Sequence, residues 1–213
     1  MNGEPGLRER KKRRTHAAIS EAAIALFLEH GYTRVPVTRV AEAAEVSKRT
    51  LFAYFPTKED LVVHRFADHE EEPARVVRDR PADSTPLAAL RTHFLAGLRE
   101  RDPITGLNDR VEVRALYQMI LDNPPLVARL EHFRAGAERA LAQALCDTAD
   151  TTALTARLAA VQLVGVQWAL AHDNAQRLAY GEPADERYAG AVRDAEHAFA
   201  LLANGLGVLP ARG

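Results

Sequence analysis

Apolar residues in this sequence recur at spacings of three and four, and this period constrains the fold more than any other feature. Near the N-terminus, Ile19, Ala22, Ala23, Leu26 and Phe27 lie along one stripe of a helix. The strict alternation that marks a β-strand is scarce, whereas residues that favour helices, such as alanine, leucine, arginine and glutamate, dominate. The sequence therefore predicts an all-α fold.

Residues that start and end helices divide the N-terminal part into short segments. Helices are predicted at about residues 7–30, 37–44 and 48–54, followed by a fourth from residue 58. Gly31 suits the left-handed position after a helix, and the hydroxyls of Ser47 and Thr57 can cap the helices that follow them. Pro73 should bend or break the fourth helix because proline lacks the N–H donor.

The remaining sequence predicts further helices after a linker at residues 80–86. One of them, at about residues 154–180, is apolar over most of its circumference and should be buried or shared with a partner. The last two helices are therefore the candidates for a homodimer interface, with completion of a monomer core as the alternative.

Positive charge is concentrated at the N-terminal end. Residues 1–65 hold 12 Lys/Arg and 8 Asp/Glu, whereas residues 66–213 hold 16 and 21, although the formal net charge of the chain is only −1. Six residues carry the excess: Arg8, Arg10, Lys11, Lys12, Arg13 and Arg14. Charge polarised in this way predicts that the first section meets an anion and that the second does not.

Composition also argues against several classes of protein. Cys146 is the only cysteine, so the chain cannot form an intrachain disulfide, and an inert thiol in a reducing compartment is expected. No apolar run approaches the roughly 18 residues of a membrane span, and the charged N-terminus does not resemble a signal peptide. We therefore expect a cytoplasmic protein without membrane contact.

The most informative segment is residues 37–55, which has the form of a helix, a three-residue turn and a capped short helix. A helix presented in this way can enter the major groove of DNA with its N-terminal residues at the base edges. Ser47 and Thr50 can donate to phosphates or bases, and Lys48 supplies a positive charge. Arg49 can fork onto a guanine edge. A mere surface hairpin, the alternative, explains neither the basic helix before the turn nor the clustered polar residues.

A specific series of residues runs through this region: Ala41–Ala44, Val46–Lys48, Thr50–Phe52 and Tyr54–Leu61. The series resembles the N-terminal domain of TetR-family transcriptional regulators, over about residues 8–65. The resemblance implies an all-α homodimer with a three-helix DNA-binding domain at 1–57 and a larger helical-bundle domain for ligand binding and dimerisation at 58–213. The positions that match the family's DNA-contacting residues are Thr38, Ser47, Lys48, Arg49, Thr50, Phe52, Tyr54 and Lys58.

Three residues depart from the family pattern. Pro36 stands where a threonine usually caps the second helix, and Thr38 is expected to compensate for the lost hydroxyl. Glu45 stands where the turn usually has glycine, so it is expected either to be strained or to change the turn. Phe52 replaces the usual tyrosine, which removes one phosphate contact.

The second section resembles, less specifically, TetR regulators with an acyl-CoA-like ligand domain, through residues 54–62, 80–82, 114–116 and 123–130. Six residues are candidates for effector binding: Phe94, Arg114, Tyr117, Phe133, Gln167 and Trp168. Trp168 beside Gln167 suits a pocket wall, although core or dimer packing is equally compatible. Arg114 suits an anionic ligand group, with a salt bridge as its alternative, and core packing is the alternative for the other aromatic residues.

These patterns together predict a ligand-responsive DNA-binding repressor, which a hydrophobic or acyl-CoA-like small molecule releases from a palindromic operator. No cofactor is expected. A metal site is not expected, because no two histidines are four residues apart and no glutamate lies three residues before a histidine. The chain also lacks a Gly-x-Ser-x-Gly elbow and a Walker loop. A helical-bundle enzyme and a protein-interaction module with a basic arm are the alternative classes.

Overall fold

The computed structural model of the protein describes residues 6–67 and 69–205. Within these ranges the chain forms ten α-helices, one 3-10 helix at Pro103–Thr105 and no β-strand, which confirms the all-α prediction. The helices are α1 (Leu7–His30), α2 (Val37–Ala43), α3 (Lys48–Tyr54), α4 (Asp60–Ala67), α5 (Glu72–Arg78), α6 (Pro86–Glu100), α7 (Val111–Leu121), α8 (Pro124–Thr148), α9 (Ala153–Ala179) and α10 (Ala184–Asn204).

The chain divides into two compact units. The first contains residues 1–65 and 115–130, and the second contains residues 66–114 and 131–213. Helices α4, α7 and α8 therefore each contribute residues to both units. The functional boundary between residues 57 and 58 stays a prediction.

The core of the first unit is built on the apolar stripe of α1. Ile19, Ala23 and Phe27 are buried there, together with Val40 of α2 and Leu51 of α3. Complete burial of a side chain the size of leucine or phenylalanine contributes roughly 1.5–3 kcal/mol. A small three-helix arrangement is therefore held by a few large side chains, and each helix has one inward face.

The predicted break near Pro73 is confirmed, and it takes the form of a gap between two separate helices and not of a kink within one helix. Helix α4 ends at Ala67, and Pro73 lies in the first turn of α5. The first turn of a helix tolerates proline because the missing N–H would have no partner in the helix there. Pro73 therefore begins a new helix and does not end the preceding one.

Helices α5, α6, α8, α9 and α10 contribute to the core of the second unit. Leu90 and Phe94 of α6, Leu141 of α8, Leu163 of α9 and Phe199 of α10 are buried in a single cluster. The rings of Phe94 and Phe199 lie 6.3 Å apart between centroids. This spacing suits a favourable tilted aromatic pair, and α6 and α10 are accordingly packed against each other.

A buried arginine links α9, α10 and the 3-10 helix of the second unit. Arg187 is 5% exposed, and its Nε donates to Asn174 Oδ1 at 3.1 Å. Its Nη2 donates to Asp173 at 2.9 Å and to Asp194 at 2.5 Å. Asn174 in turn donates to the Thr105 carbonyl at 3.0 Å. The buried charge is therefore both paired and hydrogen-bonded, as a stable buried guanidinium requires.

Helix α9 leaves part of its apolar surface uncovered. Leu154, Leu158 and Val161 are each half exposed or more, and they follow a helical stripe. By length and composition α9 is apolar enough to cross a membrane, which differs from the expectation drawn from the sequence. Only 22% of its most apolar window is buried within the described part of the chain. One such helix is weak evidence for membrane insertion, and its uncovered stripe equally suits a protein partner.

Replacement of Arg187 by alanine should lower the free energy of unfolding by about 1–3 kcal/mol, because the buried Asn174 oxygen loses its donor. Urea unfolding at one fixed protein concentration measures the change. The control is Arg177→Ala, which removes an exposed partner of the same Asp173. A similar loss in both variants would contradict the importance of burial.

Candidate DNA-binding interface

Helix α3 presents one inward and one outward face. Leu51 is 0% exposed and Phe55, just after the helix, is 1% exposed. Their burial leaves Lys48, Arg49 and Phe52 exposed to solvent. The two cations lie in the first turn of the helix, where a recognition helix places the residues that reach base edges.

The start of α3 is fixed by the cap predicted for Ser47. Its Oγ accepts a hydrogen bond from the backbone N–H of Thr50 at 3.0 Å and lies 2.8 Å from the Thr50 Oγ1. The two hydroxyls thus satisfy a backbone group of the helix and each other. They hold the first turn in place, and each hydroxyl oxygen keeps further capacity for a hydrogen bond.

Helix α2 has no side-chain cap, so the expected compensation by Thr38 is wrong. Pro36 occupies the cap position in an extended conformation, and no side chain accepts a hydrogen bond from the first turn. Thr38 is exposed, because it lies inside the first turn and cannot reach back as a residue at the cap can. Nearby, Arg39 of α2 donates a hydrogen bond from Nη2 to Nε2 of His30 in α1 at 2.9 Å.

Tyr54 lies at the end of α3 beside an aromatic contact with α1. It is half-buried, and its ring centroid lies 6.3 Å from that of His16. His16 also contacts Phe55, with centroids 4.4 Å apart. These contacts attach the C-terminal end of α3 to the basic helix α1.

The side chain of Lys58 is half-buried, and its ammonium group contacts Tyr32. Its Nζ donates to the Tyr32 carbonyl at 2.6 Å and lies 4.4 Å from the centroid of the Tyr32 ring. Burial lowers the pKa of Lys58 below its ordinary value, against an opposing effect of the Glu59 charge. The predicted contact of Lys58 with DNA stays a prediction, since its ammonium already has a partner between α1 and α2.

Tyr32 is held from the other side by the residue after Lys58. Its hydroxyl donates to Glu59 Oε1 at 2.8 Å. Burial and this hydrogen bond to a carboxylate raise the pKa of Tyr32 above its ordinary value. The connection between α1 and α2 is thereby tied to the segment that precedes α4.

A buried carboxylate at the start of α4 is the main feature that the sequence patterns did not reveal. Asp60 Oδ2 accepts from the Thr57 hydroxyl at 2.8 Å, while the Thr57 hydroxyl oxygen accepts from the Asp60 N–H at 3.1 Å. Arg129 of α8 donates from Nε to Asp60 Oδ1 at 2.6 Å. The sequence indicated only part of this arrangement. Thr57 was predicted to cap the helix, but the contact with Arg129 joins residues 69 positions apart, which no local pattern indicates.

The basic helix α1 adds exposed charge to this unit. Four cations of α1 are exposed: Arg10, Lys11, Lys12 and Arg14. The side chains of Arg8 and Arg13, which were predicted to share this role, lie outside the described residues. The exposed cations and the outward face of α3 together can neutralise and contact a polyanion.

Comparison with known proteins agrees with this geometry. The family model "Bacterial regulatory proteins, tetR family" matches residues 19–64. The transcriptional regulator TcmR of Streptomyces glaucescens is 36% identical over 126 residues, which is 58% of this chain and 55% of TcmR. Residues 19–64 of the chain thus match the TetR family domain.

Two further comparisons extend the likeness. The repressor KstR of Mycolicibacterium smegmatis is 35% identical over 100 residues, or 46% of each chain. This chain thus matches only about half the length of these curated relatives. The crystal structure of NalD, the secondary repressor of the MexAB-OprM multidrug efflux pump in Pseudomonas aeruginosa, gives a TM-score of 0.57 at 18% identity. It covers 88% of this chain and 97% of NalD, and shows the shared fold.

The effector candidates are spread over both units. Tyr117 lies in the first unit, and the other five lie in the second. Phe94 belongs to the core cluster, and Trp168 packs against that cluster with its ring 6.4 Å from Phe66. Phe133 is buried, whereas Arg114 is exposed. Effector binding by these residues stays a prediction. Among the described residues, no group of three or more His, Cys, Asp or Glu could hold a metal ion.

The turn of this TetR-family domain contains a strained residue. Glu45 has a φ of 53°, so the acidic residue adopts the left-handed conformation that the family usually gives to glycine. Its N–H donates to the Glu42 carbonyl at 3.0 Å, and the next N–H donates to the Ala41 carbonyl at 2.9 Å. The turn is therefore kept, and the expected strain of about 1–2 kcal/mol falls on Glu45.

Replacement of Glu45 by glycine should raise the free energy of unfolding by roughly 0.5–1 kcal/mol, because relief of the strain exceeds the added flexibility of the unfolded chain. Thermal or urea unfolding measures this gain. The matched control is Glu45→Gln, which keeps the strain but removes the charge. It should leave stability unchanged and tighten DNA binding, as should glycine. Equal stabilisation by both substitutions would argue against backbone strain.

Proposed function

We propose that the chain is a homodimeric repressor that binds a palindromic DNA operator and is released from it by a small molecule. The observation that carries this function is the outward face of α3, where Lys48 and Arg49 are exposed because Leu51 and Phe55 are buried. The match of residues 19–64 to a family of regulatory proteins favours a regulator over an enzyme or a protein-interaction module. A reducing, cytoplasmic location suits a regulator of this kind.

In the proposed complex, α3 enters the major groove and Arg49 forks onto a guanine edge, the commonest specific contact. Lys48 and the hydroxyls of Ser47 and Thr50 contact phosphates or bases at the same end of the helix. Thr38, Phe52, Tyr54 and Lys58 complete the interface. The exposed cations of α1 add phosphate or minor-groove contacts, which supply affinity but carry little sequence information.

A palindromic operator requires two recognition helices, about 34–36 Å apart for successive major grooves. The uncovered stripe of α9 supports a second copy as its partner. Leu154, Leu158 and Val161 are exposed, and a Cβ added at Gly165 would meet open space. Apolar patches of this kind mark association surfaces. With α10, this face forms the proposed dimer interface.

The response to a small molecule is proposed to travel through α8. Residues 124–130 of this helix belong to the unit that contains α3, and residues 131–148 belong to the other unit. Arg129 holds the start of α4 through the buried Asp60. An effector that favours a different position of α8 would shift this contact and with it the DNA-binding unit. Its differential affinity for the two states sets the size of the response.

The proposed effector is a hydrophobic, acyl-CoA-like molecule. This class rests on the resemblance of residues 54–62, 80–82, 114–116 and 123–130 and on the apolar character of the candidates Phe94, Phe133 and Trp168. Gln167 and Tyr117 would supply polar contacts, and Arg114 would meet an anionic group. A binding screen with acyl-CoA thioesters and the corresponding free CoA tests this assignment.

Replacement of Arg49 by alanine should weaken specific DNA binding by about 1–3 kcal/mol, because a bidentate contact with guanine is lost. The operator is first obtained by selecting bound genomic fragments with the purified protein, and affinities are then measured by gel retardation or anisotropy. Random DNA is the control and should be bound almost as before. An equal loss on both would show that Arg49 touches only phosphate.

Salt dependence provides an independent control for the same complex. The affinity of the native protein should fall steeply as salt increases, because phosphate contacts release counterions. The Arg49→Ala variant should keep nearly the same slope if the arginine reads a base. A flat dependence for the native protein would contradict the proposed phosphate contacts of α1.

Replacement of Val161 by glutamate should convert the dimer into monomers, because it places a charge in the proposed apolar interface. Sedimentation analysis measures the assembly, and specific operator binding should be lost with it. Val111→Glu is the matched control: Val111 is 77% exposed and Val161 is 50% exposed, but Val111 lies on α7. A dimer that survives Val161→Glu unchanged would exclude α9 from the interface.

A further inference from the structure

The outward face of α3 has two chemically different halves. Its first turn exposes Lys48 and Arg49, and the next turn exposes Phe52 and Ala53. Residues four apart on a helix lie on the same side, so Phe52 follows Lys48 and Ala53 follows Arg49. One half of the face is cationic, and the other half is apolar.

Phe52 is an unusual residue for an uncovered surface. It is 37% exposed, whereas phenylalanine is among the residues most often buried. The Lys48 Nζ lies 5.9 Å from the centroid of its ring. The ring has no hydroxyl, so it cannot donate a hydrogen bond to a phosphate oxygen as tyrosine can. Apart from this cation–π contact, the ring gains from its position through contact with an apolar group.

The major groove offers one apolar group at the base edges, which is the C5-methyl of thymine. Phenylalanine and alanine are among the side chains that contact it. A rise of about 1.5 Å per residue places Phe52 roughly 6 Å beyond Lys48 along the helix, and base pairs are about 3.4 Å apart. The apolar half of α3 would thus meet a base about two steps from the one that the cationic half meets.

We propose that Phe52, assisted by Ala53, reads thymine through its methyl group, one or two base pairs from the guanine read by Arg49. This inference rests on the proposed DNA-binding function and adds a specificity-determining residue to it. The alternative position of Phe52, against the sugar-phosphate wall, gives affinity without sequence preference. The two positions differ in one respect, which is whether a single methyl group affects binding.

The test uses the full chain and a half-site obtained by selection from random duplexes. Each thymine next to the selected guanine is replaced in turn by deoxyuridine, which removes the methyl and leaves base pairing intact. Affinity of the native protein should fall about fourfold for each contacted methyl, the equivalent of one buried methyl group. Replacement of a thymine outside the half-site should have no effect.

Two variants distinguish the contributions of Phe52 and Arg49 to base recognition. Phe52→Ala should bind the thymine duplex more weakly and should no longer distinguish thymine from deoxyuridine. Arg49→Ala should lose preference for guanine but keep the fourfold response to the methyl. Because both side chains are exposed, neither variant disturbs the core. The thymine-to-deoxyuridine comparison also works on the native protein alone.

Several results would overturn the inference. A selected half-site without thymine near the guanine would do so, as would native protein that binds thymine and deoxyuridine duplexes equally. Equal weakening of Phe52→Ala on specific, deoxyuridine and random DNA would place the ring on the backbone. In these cases the regulator function would stand, because a sequence was still selected. A protein that selects no sequence would overturn both proposals.

Discussion

The burial of Leu51 and Phe55 decides what the rest of this protein can do. Both side chains are packed into a small core built on α1, and rotation of α3 would expose one of them at a cost of roughly 1.5–3 kcal/mol each. The core therefore sets the rotation of α3. Lys48 and Arg49 are exposed to solvent as a consequence of this apolar packing.

Two sets of polar contacts fix the position of α3 relative to its neighbours in the first unit. Lys58 and Glu59 hold Tyr32 between them and thereby secure the connection from α1 to α2. Asp60, which is buried at the start of α4, is held by Thr57 and Arg129. Loss of Arg129 would be costly, because the buried carboxylate of Asp60 would lose its cationic partner.

Local features of this fold followed from local patterns. The bounds of α1 and α3, the cap at Ser47 and the break before Pro73 were all predicted, since each depends on residues within about one helical turn. The departure at Glu45 was also visible, because its place in the turn required a positive φ. Two local details escaped prediction: the uncapped start of α2 at Pro36, and the inward contact of Lys58 with Tyr32.

The amino-acid sequence alone determined the helices, the cap at Ser47 and the cationic segment that follows it, because helix period and turn chemistry act over a few residues. Tertiary structure decided which faces remained uncovered. The pairing of Asp60 with Arg129, the burial of Arg187 and the open stripe at Val161 each depend on distant elements. At Gly106, an added Cβ would lie 1.9 Å from the Ala171 carbonyl oxygen. Close contacts between the backbones of separate segments arise only when those segments pack together, so no local sequence pattern predicts them.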